Sequence, residues 1–256
     1  MEELKGINLT KSYKKRTVVN NVSISIKQGE IIGLLGPNGA GKTTTFYMIC
    51  GMIQPNEGDI ELDKRLITDM PMYKRAKLGI GYLPQEASIF RKLTVRNNIM
   101  AILQFMPYDK TEKEEKCDNL LKDFNITHIQ DSLGMQLSGG ERRRTEIARA
   151  LAVEPKFILL DEPFAGVDPI ASEEIMKMII KLKKKNIGVL ITDHNVHETL
   201  SIVDRAYILI DGKIFRSGDT ETLIKDELVK KLYLGENFTL ERYHAQRVEK
   251  GLEKEI

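Results

Sequence analysis

The chain has 256 residues, and 39 Lys and Arg stand against 37 Asp and Glu, which gives a formal net charge of +2. With 41% hydrophobic residues, this length is sufficient for one large domain with a sizeable core. The near balance of charge lacks the basic excess typical of nucleic-acid-binding domains, and we expect no nucleic-acid partner. Cys50 and Cys117 lie far apart without metal-ligand spacing, which indicates free thiols in a reducing compartment.

The N-terminal segment has no apolar core and no cleavage site, and it predicts no secretory signal. The longest apolar runs, Ile31–Leu35 and Phe157–Leu160, are far shorter than the about 20 residues of a membrane-spanning helix. We therefore expect a cytoplasmic protein. If it serves a membrane process, it must do so by docking onto another molecule.

The strand patterns in chain order predict an α/β protein. Val22, Ile24 and Ile26 alternate with polar residues, and Ile60 and Leu62 repeat the pattern, which indicates a small antiparallel layer. Later strands (IIGLL, FILL, IGVLIT) are continuous apolar runs, as expected for a parallel sheet that is buried on both faces.

The remaining segments predict a hairpin, an inserted lobe and a tail. Residues 206–217 indicate a hairpin whose turn, Asp211-Gly212, takes positive φ angles. Residues from about 86 to 155 show helical patterns only, and we expect a helical lobe inserted into a single domain, 1–240. The charged residues 241–256 form a C-terminal tail of unassigned role.

A phosphate loop follows the first buried strand. Its sequence, GPNGAGKT, matches G-x-x-x-x-G-K-[ST] between a strand and a helical segment, which is the context that the motif requires. Backbone N–H groups and the helix N-terminus bind phosphates, Lys42 reaches the β- and γ-phosphates, and the Thr43 hydroxyl ligates Mg²⁺. The expected ATP-binding residues here are Gly36, Pro37, Asn38, Gly39, Ala40, Gly41, Lys42, Thr43 and Thr44.

Two carboxylates, Asp161 and Glu162, end the apolar strand FILL. Beside a phosphate loop, Asp161 would hold the magnesium ion through water, and Glu162 would orient and deprotonate the attacking water. The alternative for this dipeptide is a helix cap ahead of Pro163.

Three single residues are candidates through their positions. Gln85 ends the strand GIGYLPQ, where an amide contacts the metal and the nucleophilic water, and His194 follows IGVLIT, where an imidazole contacts the γ-phosphate. Tyr13 precedes the antiparallel layer and could stack on adenine. Taken alone, each of these residue types is more often structural.

A second glycine-containing segment, LSGGERRR at residues 137–144, has the chemistry of a phosphate-binding helix start. Glu141 opens the helix, where the helix dipole favours an acid. Ile147 and Leu151 would anchor the helix in the lobe, and we expect the three arginines at 142–144 to face a partner or solvent.

The order of these features resembles the nucleotide-binding domain of ATP-binding cassette (ABC) ATPases over nearly the whole chain. The resemblance implies a P-loop NTPase fold and Mg²⁺-dependent ATP hydrolysis. It makes Glu162, His194, Gln85 and Lys42 catalytic, and it makes Thr43, Gln85 and Asp161 metal ligands. It also assigns Tyr13 to adenine, Ser138, Gly139 and Gly140 to the signature motif, and Asp168 to the D-loop. Ala165 and Asn195 depart from the residues frequent at their positions, but neither change removes a required group.

In this family two domains dimerise head to tail, and each ATP lies between the phosphate loop of one and the signature motif of the other. The resemblance therefore implies a homodimer. Two transmembrane subunits are expected to dock near Phe90, Arg91 and Leu93, and about half of the apolar residues behind Gln85 are expected to pack within the lobe. Contact with the transported substrate is not expected.

Longer segments, among them YLPQEASIFRKLTV and LLDEPFAGVDPIA, resemble the ATPases of lipopolysaccharide export transporters. This implies a protein on the cytoplasmic face of the inner membrane that powers lipopolysaccharide extraction. ATPases of branched-chain amino-acid importers are similar in sequence and remain the alternative. A third class comprises soluble ABC ATPases of DNA repair, Fe–S assembly or translation, and co-purification with membranes would separate it from the other two.

Overall fold

The computed structural model describes residues 2–235, and the predicted tail at 241–256 lies outside the described residues. The strands are β1 Glu3–Tyr13, β2 Arg16–Lys27, β3 Ile31–Leu35, β4 Glu57–Leu62, β5 Arg65–Leu66, β6 Ile80–Leu83, β7 Phe157–Asp161, β8 Gly188–Thr192, β9 Arg205–Ile210 and β10 Lys213–Asp219. The helices are α1 Lys42–Cys50, α2 Met72–Lys77, α3 Val95–Leu103, α4 Lys110–Asp123, α5 Gly139–Leu151, α6 Pro169–Lys184, α7 Val196–Ile202, α8 Thr220–Lys225 and α9 Glu227–Val229, which continues as the π-helical turn Lys230–Leu234.

The core is a six-stranded sheet in the order β10-β9-β3-β8-β7-β6. Strands β9, β3, β8, β7 and β6 pair in parallel, and β10 adds an antiparallel edge. Every residue of β3, β7 and β8 is buried, as their continuous apolar runs predict. Because these strands are parallel, the loops after their carboxyl ends meet at one edge of the sheet.

The smaller sheet is antiparallel, in the order β2-β1-β4-β5. The predicted alternation in β2 and β4 is confirmed, but β1 is an additional strand, and Tyr13 is its last residue rather than a residue that precedes the layer. The register between β1 and β2 shifts at Gly6/Leu9 and again towards Ser12, and these shifts interrupt the period-two pattern by which a strand is found in the sequence.

The predicted hairpin of β9 and β10 is confirmed, with φ angles of 48° at Asp211 and 75° at Gly212. Its turn also supports the phosphate loop, because Gly212 N donates to Ala40 O at 3.1 Å. A Cβ atom on Gly212 would lie 2.5 Å from Val18 O of β2. Only glycine therefore allows this turn to pack against both β2 and the phosphate loop.

Between β6 and β7 the regular elements are the helices α3, α4 and α5 and two short 3₁₀ turns. Each of the three helices begins at a capping side chain, which is Thr94, Asp109 or Ser138. The apolar faces of the helices join one core with the large sheet, and Ile147 and Leu151 are buried in it as predicted.

Both cysteines are free and buried, as their spacing indicates. Among the helices of residues 2–235, none is long and apolar enough to cross a membrane.

Candidate active site

The phosphate loop connects β3 to α1, and it requires glycine at two positions. Gly36 and Gly41 have φ angles of 146° and 98°, and a Cβ atom on them would lie 2.2 Å from Leu209 O and 2.7 Å from Val18 O. Helix α1 begins at Lys42, directly after the loop. Its first N–H groups therefore open towards the loop, as a phosphate-binding helix start requires.

The Lys42 side chain is buried against this loop. Its Nζ atom donates to Gly36 O at 2.7 Å and to Pro37 O at 3.1 Å. Burial lowers the pKa of Lys42, while the nearby carboxylates Glu162, Asp193 and Asp161 oppose this shift. A cation held at the loop by two carbonyl oxygens, with carboxylates nearby, is suited to the charge of a nucleotide phosphate.

Asp161 is the last residue of β7 and is buried. Its Oδ1 atom accepts a hydrogen bond of 2.7 Å from the Thr192 hydroxyl, since β7 and β8 pair in register at these two residues. Burial raises the pKa of Asp161, and the Thr192 hydroxyl partly offsets that rise. A buried carboxylate with one oxygen fixed in this way is a preoriented ligand.

Glu162 follows in the left-handed region, with φ of 42°. Its N–H donates to Thr192 O at 2.7 Å, and its Oε2 atom accepts from Gln85 Nε2 at 2.8 Å. The His194 Nδ1 atom lies 3.3 Å from the same oxygen. The helix-cap alternative for Asp161-Glu162 is wrong, because the next helix, α6, is capped by Asp168 instead. Backbone strain at Glu162 is typical of functional sites.

The structure thus brings the predicted residues Gln85, Glu162 and His194 together at the carboxyl edge of the sheet. Gln85 lies two residues beyond the end of β6, and is therefore in a loop rather than at the end of the strand, while His194 follows β8.

Asp193, which sequence reasoning missed, is buried and accepts from Asn195 N at 2.7 Å and from Phe164 N at 3.2 Å. The signal for Asp193 is a charged residue directly after a fully buried strand.

The signature segment begins helix α5. The Ser138 hydroxyl donates to Glu141 Oε2 at 2.7 Å, and the same carboxylate accepts from Ser138 N at 2.9 Å. The hydroxyl and the backbone N–H of Ser138 lower the pKa of Glu141. Ser138 itself is exposed, so the N-terminus of α5 faces solvent at this residue. A Cβ atom on Gly140 would lie 2.7 Å from Ala171 Cβ, which requires glycine where α5 meets α6.

The prediction that the arginines at 142–144 face a partner or solvent is wrong for two of them. Arg143 and Arg144 are buried. Arg143 donates to Pro84 O at 2.7 Å and to Asp161 O at 3.2 Å, and Arg144 pairs with Glu174 of α6. The helical period places Arg143 on the same face as the buried Ile147, and internal acceptors bind both of its terminal nitrogens.

Two predicted nucleotide contacts lie outside this cluster. Tyr13 is 49% exposed at the end of β1, with the Lys11 Nζ atom 5.5 Å from its ring centre. Asp168 caps α6 by accepting from Ala171 N at 3.0 Å. The described contacts of these two residues do not link them to Glu162.

Of the apolar side chains in the segment after Gln85, some pack within the lobe and others are exposed, as predicted. Ile99 and Leu103 are fully buried within the helices, whereas Phe105 is 88% exposed and Phe90 is also exposed. The guanidinium of Arg149 stacks 4.7 Å from the ring centre of Phe90. An aromatic side chain held at the surface by a cation is suited to recognition by a partner.

The candidate magnesium ligands are oxygen donors. Among residues 2–235, no group of three or more His, Cys, Asp or Glu side chains could hold a metal ion. The set of Thr43, Gln85 and Asp161 has a hydroxyl, an amide and one carboxylate instead. This set fits Mg²⁺, which binds a few protein oxygens and completes its shell with water and phosphate oxygens.

Comparisons with known proteins agree with this geometry. The ABC transporter family model matches residues 19–165. The lipopolysaccharide export system ATP-binding protein LptB of Haemophilus influenzae is 58% identical over 94% of this chain and 100% of its own length. The LptB protein of Escherichia coli is 54% identical over the same shares of the two chains. An uncharacterised ABC transporter ATP-binding protein of Rhizobium meliloti is 56% identical over 91% of this chain and 86% of its own length.

Solved structures give the same result. An ATP-binding cassette of an ABC transporter in its ADP conformation superposes with a TM-score of 0.81 at 29% identity, over 92% of this chain and 100% of that one. A dimeric cassette bound to ADP and Pi superposes with a TM-score of 0.75 at 29% identity, over 85% of this chain and 98% of that one. The fold, the clustered site and these relatives together show that this chain belongs to the ATP-binding proteins of ABC transporters and is an ATPase.

Proposed function

We propose that this chain is the ATP-hydrolysing subunit of an ABC transporter that extracts lipopolysaccharide from the inner membrane for export. The observation that carries the proposal is the identity of 58% and 54% to two lipopolysaccharide export proteins, in both cases over their whole length. The convergence of Gln85 and His194 on Glu162 supports hydrolysis as its reaction.

In this proposal the phosphate loop binds the ATP phosphates through its N–H groups and Lys42. Thr43, Gln85 and Asp161 would hold Mg²⁺, which when bound neutralises charge on the β- and γ-phosphates. The contact between Thr192 and Asp161 fixes the orientation of that carboxylate before any ligand arrives. Tyr13, half exposed, stacks on the adenine.

Glu162 acts as the general base. Its Oε2 atom is occupied by Gln85 and His194, so the other oxygen, Oε1, accepts the proton of the attacking water. Gln85 holds the carboxylate on one side, and His194 contacts the γ-phosphate from the other. The left-handed backbone at Glu162 turns its side chain towards these partners.

The working unit is a homodimer with two equivalent sites. The N-terminus of α5, which is exposed at Ser138, binds the γ-phosphate of the ATP on the other copy through Ser138, Gly139 and Gly140. Asp168 lies at the same interface. Support comes from the exposure of Ser138 and from the dimeric ATP-binding cassettes among the solved relatives. Hydrolysis weakens this contact, and the dimer opens.

Two transmembrane subunits dock on the lobe of about residues 86–155, at Phe90, Arg91 and Leu93. This holds the chain at the cytoplasmic face of the inner membrane, away from the transported substrate. The exposed Phe90 ring supports the assignment, because Phe90 and Gln85 lie in one loop, which therefore connects a surface to the hydrolytic site.

The test is affinity purification of the full chain from detergent-solubilised membranes, with identification of the co-purified proteins. We expect two transmembrane subunits whose reconstituted complex with this chain releases lipopolysaccharide from vesicles when ATP is added. Recovery of amino-acid importer subunits instead, or a complex that hydrolyses ATP without releasing lipopolysaccharide, would contradict the proposal.

A further inference from the structure

The connecting loop, which we define as residues 84–90, joins β6 to α3 and lies outside any helix or strand. It carries Gln85 near one end and the exposed Phe90 at the other. Backbone groups of such a loop must find partners outside regular structure when they are buried. The partners of this loop come mainly from helix α5.

Glu146 is the central partner. It is 1% exposed, and its Oε1 atom accepts from Ser88 N at 2.7 Å and from Ile89 N at 3.0 Å. Its Oε2 atom lies 3.4 Å from Arg143, which donates to Pro84 O at 2.7 Å. The carboxylate and its paired guanidinium therefore hold the loop on both sides of Gln85.

Two further side chains hold the far end of the loop. Arg149 of α5 donates to Ser88 O at 2.9 Å and to Ser88 Oγ at 2.7 Å, and it stacks on Phe90. The buried Asn98 of α3 accepts from Phe90 N at 2.9 Å and donates to Phe90 O at 3.2 Å. Three residues of α5, one turn apart, thus contact the loop along its length.

A buried carboxylate is an expensive way to obtain stability alone, because desolvation offsets much of the gain from an ion pair. Glu146 instead accepts from two backbone N–H groups, one of which, at Ile89, would otherwise be buried without an acceptor. The helix that carries it also begins at the signature residue Ser138. One rigid element therefore bears the signature motif and the attachment of the connecting loop.

We infer that Glu146 is a positioning residue, which fixes the connecting loop to α5 so that Gln85 stays at Glu162 and Phe90 moves together with the signature motif. The inference rests on the proposed function of Gln85 and Phe90. Glu146 itself touches neither nucleotide nor water in this scheme. It acts through Ser88 and Ile89.

The test is Glu146→Gln, which keeps an oxygen acceptor but removes the charge and places an amide against the Arg143 guanidinium. We expect the kcat of the complete transporter to fall about 10- to 100-fold, since small displacements of positioning groups have effects of this size. The KM for ATP should stay within about twofold, because the phosphate loop is untouched. The matched control is Glu174→Gln, which removes a carboxylate of α6 that pairs with Arg144 of α5 but does not contact the loop.

A second readout follows the loop directly. Both native cysteines are buried, so spin labels can be attached to Ala87→Cys in the loop and Glu115→Cys on α4, which are exposed positions. We expect a narrow distribution of the distance between the two labels when Glu146 is unaltered and in Glu174→Gln. We expect a broad distribution in Glu146→Gln. The melting temperature of each variant shows at which temperatures the protein is folded, and the distance distributions are compared only at those temperatures.

The outcomes separate the two proposals. A narrow distribution in folded Glu146→Gln, or a kcat equal to that of Glu174→Gln, would overturn the role of Glu146. If Gln85→Ala leaves kcat unchanged, the proposed function of Gln85 is wrong, and the distance measurement still decides whether Glu146 fixes the loop.

Discussion

The amide of Gln85 donates a hydrogen bond of 2.8 Å to the carboxylate of Glu162, across 77 residues of chain. His194 lies against the same oxygen at 3.3 Å. One carboxylate therefore joins the loops that follow β6, β7 and β8. Because all three loops leave the carboxyl edge of a parallel sheet, their side chains meet without any contact between the segments in sequence.

We predict that Glu162→Gln slows ATP turnover by roughly 10²–10⁴-fold, as expected when a general base is removed. The neutral amide still offers an oxygen to Gln85, so the arrangement of the site is preserved. ATP binding should survive, because the phosphate loop and Lys42 are unchanged. Steady-state hydrolysis and titration with a fluorescent ATP analogue measure the two quantities.

The control for this variant is Glu173→Gln, which alters an exposed glutamate within α6. It should hydrolyse ATP at the rate of the unaltered protein. A near-normal rate for purified Glu162→Gln, free of contaminating ATPases, would show that another group takes the proton.

The sequence predicted the parts of the molecule that short-range patterns determine. The phosphate loop, the buried strands, the Asp211-Gly212 turn and the start of helix α5 at LSGG follow from local chemistry and are all observed. Strand β1 was missed because bulges interrupt its alternation. The buried Arg143 was misplaced because its acceptors, Pro84 O and Asp161 O, come from distant segments. The charge of Arg143 indicated an exposed position, and only the tertiary structure shows which acceptors bind the buried guanidinium.

We predict that Ser138→Arg leaves ATP binding by the monomer intact but prevents ATP-driven dimerisation. Ser138 is exposed at the start of α5, where a long cation would occupy the space that the proposed dimer needs. Light scattering with ATP, in a background that carries Glu162→Gln to prevent hydrolysis, measures the size of the particle. A dimer of normal size and stability would refute the proposed role of this segment.

The control for this variant is Ser138→Ala. Both substitutions remove a cap, at a cost of about 1 kcal/mol in helix stability, but only arginine adds bulk. If the alanine variant dimerises and the arginine variant does not, steric exclusion at the interface explains the loss.

We predict a pH-dependent stability difference between the unaltered protein and Glu141→Gln. Hydrogen bonds from Ser138 lower the pKa of Glu141 in the folded protein below its ordinary value of 4.5. The ionised carboxylate therefore stabilises the fold above that value, and this contribution is lost as pH falls through the lowered folded pKa. Urea unfolding from pH 7 downwards should show a difference in free energy that shrinks on acidification. A difference that is constant or grows would contradict this account of the cap.

The last prediction concerns Arg75, which supports the phosphate-binding helix from its far end. Arg75 is 1% exposed, and its guanidinium donates to Met48 O at 2.8 Å and Ile49 O at 2.7 Å in the last turn of α1. It also donates to Thr68 O and Met70 O, each at 2.8 Å, and burial lowers its pKa to about 10.

Replacing Arg75 with methionine would remove the guanidinium from four carbonyls, of which Met48 O keeps Gly51 N as a donor at 3.1 Å, and we expect the free energy of unfolding to fall by at least about 3 kcal/mol. Urea unfolding at neutral pH measures this free energy of unfolding. The control is Lys74→Met, at an exposed position of the same helix, which should change the free energy of unfolding by no more than about 0.5 kcal/mol. Because α1 carries Lys42 at its other end, fluorescent ATP should also bind less tightly to folded Arg75→Met. A loss of stability no larger than that of Lys74→Met would mean that water or other donors replace the guanidinium, and that the orientation of α1 does not depend on Arg75.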